Sequence, residues 1–145
     1  MIFRCMTEAD LDKVAEMEKE IFSTPWSKEG FAESLRQSYS HFFVVVTDEI
    51  IGYCGVHNLG GDGEISNVAV DGKCRGKGIA YEMLLFAMEE MRKEGVGAFT
   101  LEVRASNIPA IRLYEKLGFE KAGVRKNFYD NPTEDAIIMW KMQET

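Results

Sequence analysis

Apolar residues along the chain repeat with two periods, and the switches between them mark out its elements. Residues 2–6 alternate as a short strand. Leu11, Val14, Met17, Ile21 and Phe22 then recur at helical spacing behind Thr7 and an acidic first turn, which predicts a first helix. "STPW" interrupts it, and "SKEGFAESLRQ" reads as a second, shorter helix capped by Ser27. "HFFVVVTDEIIGYCGVHNL" is β-rich on either side of a turn at Asp48 and Glu49, the pattern of a hairpin. "GGDG" reads as a loop and "EISNVAV" as a strand, followed by the long helical run "GIAYEMLLFAMEEMRKEG" ending near Gly95. "AFTLEV" is a strand. "NIPAIRLYEKLG" is a helix with Asn107 at its cap, Pro109 in its first turn and Gly118 at its end. "FEKAGVRKNFY" and "DAIIMWKM" close the series as two more strands.

The resulting order, β-α-α-β-β-β-α-β-α-β-β, describes a mixed α/β (α+β) chain. No repeat, low-complexity tract or linker divides it, so residues 1–145 are expected to form a single domain. The strand-helix-strand unit from Glu64 to Val103 should pair in parallel through a right-handed crossover. Ligands of open α/β sheets collect beyond the carboxyl ends of such strands. The elbow at that end therefore bears on function, and so does the segment after "LEV".

That elbow lies within "NVAVDGKCRGKGIAYEML", Asn67 to Leu84. A helix N-terminus offers unpaired N–H groups and the positive end of a dipole. Gly76 and Gly78 allow close approach to the main chain, and Lys73, Arg75 and Lys77 add positive charge. The combination is that of a phosphate cradle. It is not a Walker loop, because Gly76-Lys77 is followed by Gly78 rather than Ser or Thr. Nor is it a dinucleotide fingerprint, which needs a glycine where Tyr81 stands.

The formal net charge of −7 disfavours a broad nucleic-acid face and favours basic partners. No apolar run is long enough for a membrane span, and "MIFRCMTEAD" lacks the pattern of a signal peptide. Cys5, Cys54 and Cys74 are odd in number and widely spaced, which suits a reducing compartment; the expected location is the cytoplasm. Neither cysteines nor His41 and His57 form a metal-ligand pattern, so no metal is expected.

"RGKGIA", Arg75 to Ala80, matches the [RQ]-x-x-G-x-[GA] signature of the GCN5-related N-acetyltransferase (GNAT) superfamily. "LEVRASNIPAIRLYEKLGF", "PWS" and "EDAIIM" extend the likeness through most of the chain and most resemble the RimI-type branch. The resemblance implies a mixed sheet of six to seven strands with about four helices. It also implies that acetyl-coenzyme A is the co-substrate and that an amine is the acceptor. In the RimI-type branch the acceptor is the N-terminal alanine of a small-subunit ribosomal protein, a basic partner.

The implied coenzyme site comprises the main chain of Val68, Ala69 and Val70, the loop Arg75, Gly76, Lys77, Gly78, Ile79, Ala80 and Tyr81, and Asn107. Glu102 is the implied base, acting directly or through water, with Glu64 as the alternative. Tyr114 is the implied acid. Asn107 and Tyr114, two helical turns apart, lie on one face of their helix. Trp26 and Tyr129, in the segments "FSTPWS" and "NFYDNPTED", flank the implied acceptor cleft. Trp26 serves either to grip a peptide or to pin two helices together. An α-amino group is roughly 10–20% neutral at pH 7 and a lysine amine about 0.04%, so a lone glutamate base suits N-termini better. Other acceptor amines, or a non-catalytic acyl-coenzyme A binding module, are the competing readings. The chain is expected to act as a monomer or weak dimer.

Overall fold

The computed structural model describes residues 1–142. Strand β1 (Ile2–Cys5) leads through a 3-10 turn (Glu8–Asp10) into helices α1 (Leu11–Ile21) and α2 (Lys28–Arg36). Strands β2 (Ser40–Val46), β3 (Ile50–Leu59) and β4 (Asp62–Val70) follow, then a second 3-10 turn (Gly72–Cys74) and helix α3 (Ile79–Lys93). Strand β5 (Ala98–Arg104), helix α4 (Ile108–Lys116) and the hairpin β6 (Glu120–Tyr129) and β7 (Glu134–Lys141) complete it. The seven strands form one sheet in the order β1-β2-β3-β4-β5-β7-β6. Of the neighbouring pairs only β4 and β5 run parallel, as the long helix between them requires.

Alternation along β2 shows how the sheet is covered. Phe43 and Val45 join one buried cluster with Met83, Met88 and Met91 of α3 and Ile111 of α4. Phe42 and Val44, one residue out of phase, join a second cluster with Val14 and Met17 of α1 and Phe31 of α2. Both faces of the strand are therefore dry, which is why "FFVVV" shows no polar alternation.

Local signals placed the helix ends. Ser27 Oγ accepts from the Gly30 amide at 3.1 Å and Asn107 Oδ1 from the Ala110 amide at 3.3 Å. Thr7 starts the 3-10 turn rather than α1 itself, and its amide donates to Asp10 Oδ2 at 2.7 Å. The expected "GGDG" loop is shorter than its composition implied. Gly60 and Gly61, both at positive φ, close a two-residue hairpin between paired Leu59 and Asp62, so Asp62 and Gly63 already belong to β4.

Candidate active site

The parallel pair that centres the fold is short. β4 and β5 are in register only over Asp62–Glu64 and Ala98–Thr100. Beyond Glu64 and Thr100 the two strands share no ladder, and their carboxyl-terminal halves line a cleft of about 1070 Å³. β4 is also distorted there. Tyr53 pairs with Ala69 and Gly55 with Ser66, so Asn67 and Val68 together oppose Cys54. Asn67 takes a left-handed conformation (φ 54°), and this bulge re-aims the main chain of Val68, Ala69 and Val70 along the cleft wall.

Eleven of the sixteen site residues singled out from the sequence line this cleft: Trp26, Glu64, Val68, Ala69, Val70, Arg75, Ala80, Glu102, Asn107, Tyr114 and Tyr129. Gly76, Lys77, Gly78, Ile79 and Tyr81 are not on its wall. Gly76 and Gly78 adopt positive φ of 79° and 75°, and a Cβ at either would meet no atom within 4 Å. The elbow is thus open, and its glycines serve backbone shape and access. Ile79, the first residue of α3, turns its side chain into the core, so only its main chain can face a ligand. Tyr81 lies under Lys116 Nζ, 5.0 Å from the ring centre, and so bridges α3 to α4. Arg75 donates from Nε to the Val70 carbonyl at 3.1 Å, which ties the elbow back to the end of β4. Gly72 begins a 3-10 turn closed by Asp71, whose side chain accepts from the Lys73 amide at 3.0 Å.

On β5, Leu101, Glu102, Val103 and Arg104 all line the cleft; Leu101 and Val103 are buried, and Glu102 and Arg104, offset by one, place their charged side chains on the other face of the strand. Glu102 Oε2 is buried without a hydrogen bond, and the Arg125 guanidinium of β6 stands 3.5 Å away as its ion-pair partner. Tyr114 packs edge-on to Phe119 at 6.0 Å between ring centres and is 7% exposed. Burial raises its phenol well above the ordinary tyrosine value. It therefore enters any reaction protonated. A thiolate formed in the same dry surroundings would be disfavoured for the same reason, so the two shifts partly cancel.

Several residues that shape the site carry no motif. Arg104 organises the loops at the β6–β7 end of the cleft. Its Nη1 donates to the Pro132 carbonyl at 2.8 Å and to Glu134 Oε1 at 3.3 Å. Its Nη2 donates to the Asp130 carbonyl at 2.7 Å and to Ser23 Oγ at 3.4 Å. The guanidinium also lies 4.5 Å from the Tyr129 ring centre. Burial, followed by the charge of Glu102, pushes the Tyr129 phenol up to about 12. Glu134 in turn accepts from the Ser106 amide at 2.6 Å, which holds the start of α4. Trp26 does pin elements together, packing on Phe31, Phe42 and His57, and it also borders the cleft. Glu18 is the least expected: a carboxylate 2% exposed, on the apolar face of α1. A signal existed, since position 18 continues the stripe of Val14 and Ile21, where an acid has no solvent.

Among the described residues, no set of histidine, cysteine or carboxylate side chains is placed to hold a metal ion. No helix among them is long and apolar enough to cross a membrane.

A mixed sheet opened at its one parallel pair, above a glycine elbow and a helix tip, defines an acyltransferase of the GNAT kind. The model of the acetyltransferase (GNAT) family matches residues 11–119, and the chain belongs to that family. Over 139 residues it is 38% identical to a Bacillus subtilis (strain 168) protein provisionally named as a ribosomal protein bS18-alanine N-acetyltransferase, covering 94% of this chain and 92% of the relative. It also superposes on the crystal structure of the Escherichia coli ribosomal-protein-S18-alanine N-acetyltransferase with a TM-score of 0.90 and 30% identity, covering 99% of this chain and 94% of the other. The fold alone is shared with Arabidopsis thaliana NAA60 solved in complex with acetyl-CoA (TM-score 0.87, 20% identity, 97% of each chain). The RimI-type resemblance and the mixed sheet of six to seven strands expected from the sequence agree with these relatives and with the seven strands observed.

Proposed function

We propose that this chain transfers an acetyl group from acetyl-coenzyme A to the α-amine of an N-terminal alanine on a small-subunit ribosomal protein, in the cytoplasm. The observation that carries the reading is that Glu102 and Tyr114 converge on the one cleft that the bulged main chain of β4 also lines. The relatives' names supply the acceptor class.

The cleft fits the coenzyme. Where β4 leaves β5, its main chain from Ile65 to Val70 no longer pairs with that strand, and the elbow glycines leave the α3 N-terminus uncovered. The main chain of Val68, Ala69 and Val70 would hold the acyl-bearing arm. The amides of Arg75 to Tyr81 would hold the pyrophosphate, and Asn107 would lie beside the arm. Acetyl-coenzyme A supplies an acetyl group activated as a thioester.

Glu102 removes a proton from the acceptor ammonium, directly or through a water, and frees the nitrogen lone pair. As the N–C bond forms and the C–S bond breaks, Tyr114 delivers its proton to the departing sulfur; the nitrogen's second proton, made acidic by acylation, passes back to the phenolate, and Glu102 releases the first to solvent. Glu64, exposed near the mouth of the cleft, is the alternative base. Trp26 and Tyr129 border the acceptor, whose positive charge complements Glu18, Glu64 and Glu102.

The test uses a basic peptide beginning with alanine, a second with its α-amine blocked, and intact-mass detection. One acetyl on the first and none on the second is expected. Modification of both would move the activity to lysine side chains.

A further inference from the structure

Glu18 plays no part in the proton transfers above, yet it is the most elaborately held carboxylate near the cleft. Its Oε1 accepts from the Tyr53 hydroxyl at 2.7 Å. Its Oε2 accepts from the Trp26 amide at 3.1 Å and from the Asn67 side-chain amide at 3.2 Å. These donors come from β3, from the loop between α1 and α2, and from the β4 bulge. A carboxylate this far from water is costly to place and gives no net stability that apolar packing could not match.

Two details point to positioning. Asn67 sits at positive φ, a conformation asparagine adopts more readily than other residues bearing a Cβ, and its Nδ2 donates to Glu18 from that bulged position. That bond also fixes which way the amide faces, and it leaves Asn67 Oδ1 buried without a partner.

We infer that Glu18 is a positioning residue that sets the β4 bulge through Asn67 and ties it to the acceptor-side loop through the Trp26 amide. The two walls of the cleft thereby keep one spacing. The inference rests on the proposed use of the bulge by the coenzyme.

Calorimetry with coenzyme A checks it, using wild type, Glu18→Gln, Asn67→Gly and the double variant. Glycine at 67 removes the amide while tolerating the left-handed backbone. Glutamine at 18 keeps the length but presents an N–H₂ where donors must be accepted. Asp10→Asn is the control, another buried and multiply bonded carboxylate remote from the cleft lining. Each cleft variant should weaken coenzyme affinity by about tenfold, and the double variant no more than the worse single. Glu18→Gln should also raise the KM for an alanine-first peptide, while Asp10→Asn changes neither constant. Unchanged affinity in folded Glu18→Gln, or multiplying effects in the double variant, overturns the inference. If Glu18→Gln does not fold, Asn67→Gly decides alone, with unchanged affinity again overturning it. Wild type that fails to bind coenzyme A removes the proposed function, and this inference with it.

Discussion

The two walls of the cleft are built by opposite means. Towards the elbow, the chain offers main chain: a bulged strand, glycines with empty space around them, and exposed Lys73 and Lys77. Towards the β6–β7 turn it offers side chains interlocked with one another, with Arg104 alone contacting four oxygens and a ring. In the proposed function, main-chain amides on the first wall would recognise what every acyl-coenzyme A has in common. The side-chain lattice would recognise one class of acceptor and could be re-tuned residue by residue. On this division, variants on one wall should move one substrate's constants and leave the other's alone.

The largest effect belongs where the walls meet. Tyr114→Phe should lower kcat by about a hundredfold or more with coenzyme affinity nearly unchanged, measured by steady-state kinetics beside calorimetry. Normal turnover would assign the proton to another donor. Glu102→Gln should slow the reaction most at low pH, where neutral amine is scarcest; an even loss across pH would make Glu102 an orienting group instead.

Gly78→Val comes next. No atom crowds a Cβ at this position, so the expected damage is the strain of a β-branched residue at φ 75° and obstruction of the incoming phosphate. Relaxation of the turn away from the binding geometry, worth about 1–2 kcal/mol, corresponds to roughly a tenfold loss of coenzyme affinity. The acceptor KM at saturating coenzyme should not change. Arg104→Ala is the mirror image. The acceptor KM should rise several-fold as the Ser23 and Asp130 segments part, with coenzyme affinity held. If either variant shifts both constants equally, the walls are not independent.

The smallest effect lies outside the cleft. Arg4 Nη1 and Nη2 donate to Asp10 at 2.8 and 2.9 Å, and this contact, ahead of its other influences, holds the Asp10 carboxyl below its ordinary range. A depressed carboxylate stabilises the fold above its unfolded pKa and loses that contribution as pH falls through its folded pKa. Asp10→Asn should therefore cost about 1–2 kcal/mol at neutral pH in urea unfolding, with the gap closing below about pH 4. Catalysis at pH 7 should be untouched.

Much of this molecule was legible along the chain, and the legible parts share a cause. Ser27, Asn107, Gly60-Gly61 and the strand-elbow-helix order act on neighbours a few residues away, so their chemistry is written where it operates. The elbow beside the cleft was legible because glycines and a helix start announce themselves, whereas the main-chain wall at Val68, Ala69 and Val70 was implied by the family resemblance alone. What the linear order left open was decided by the sheet. Pairing β4 with β5 for only three residues, and then parting them, created the cleft. Stacking α1 over β3 and the bulge brought Glu18 to Tyr53 and Asn67, 35 and 49 residues away. Folding the β6–β7 turn against β5 gave Arg104 its carbonyls and brought it to Ser23, 81 residues back. Hydrogen bonds over such separations have no local pattern to betray them; they exist because strand order fixes which side chains meet, and only the assembled sheet holds that information.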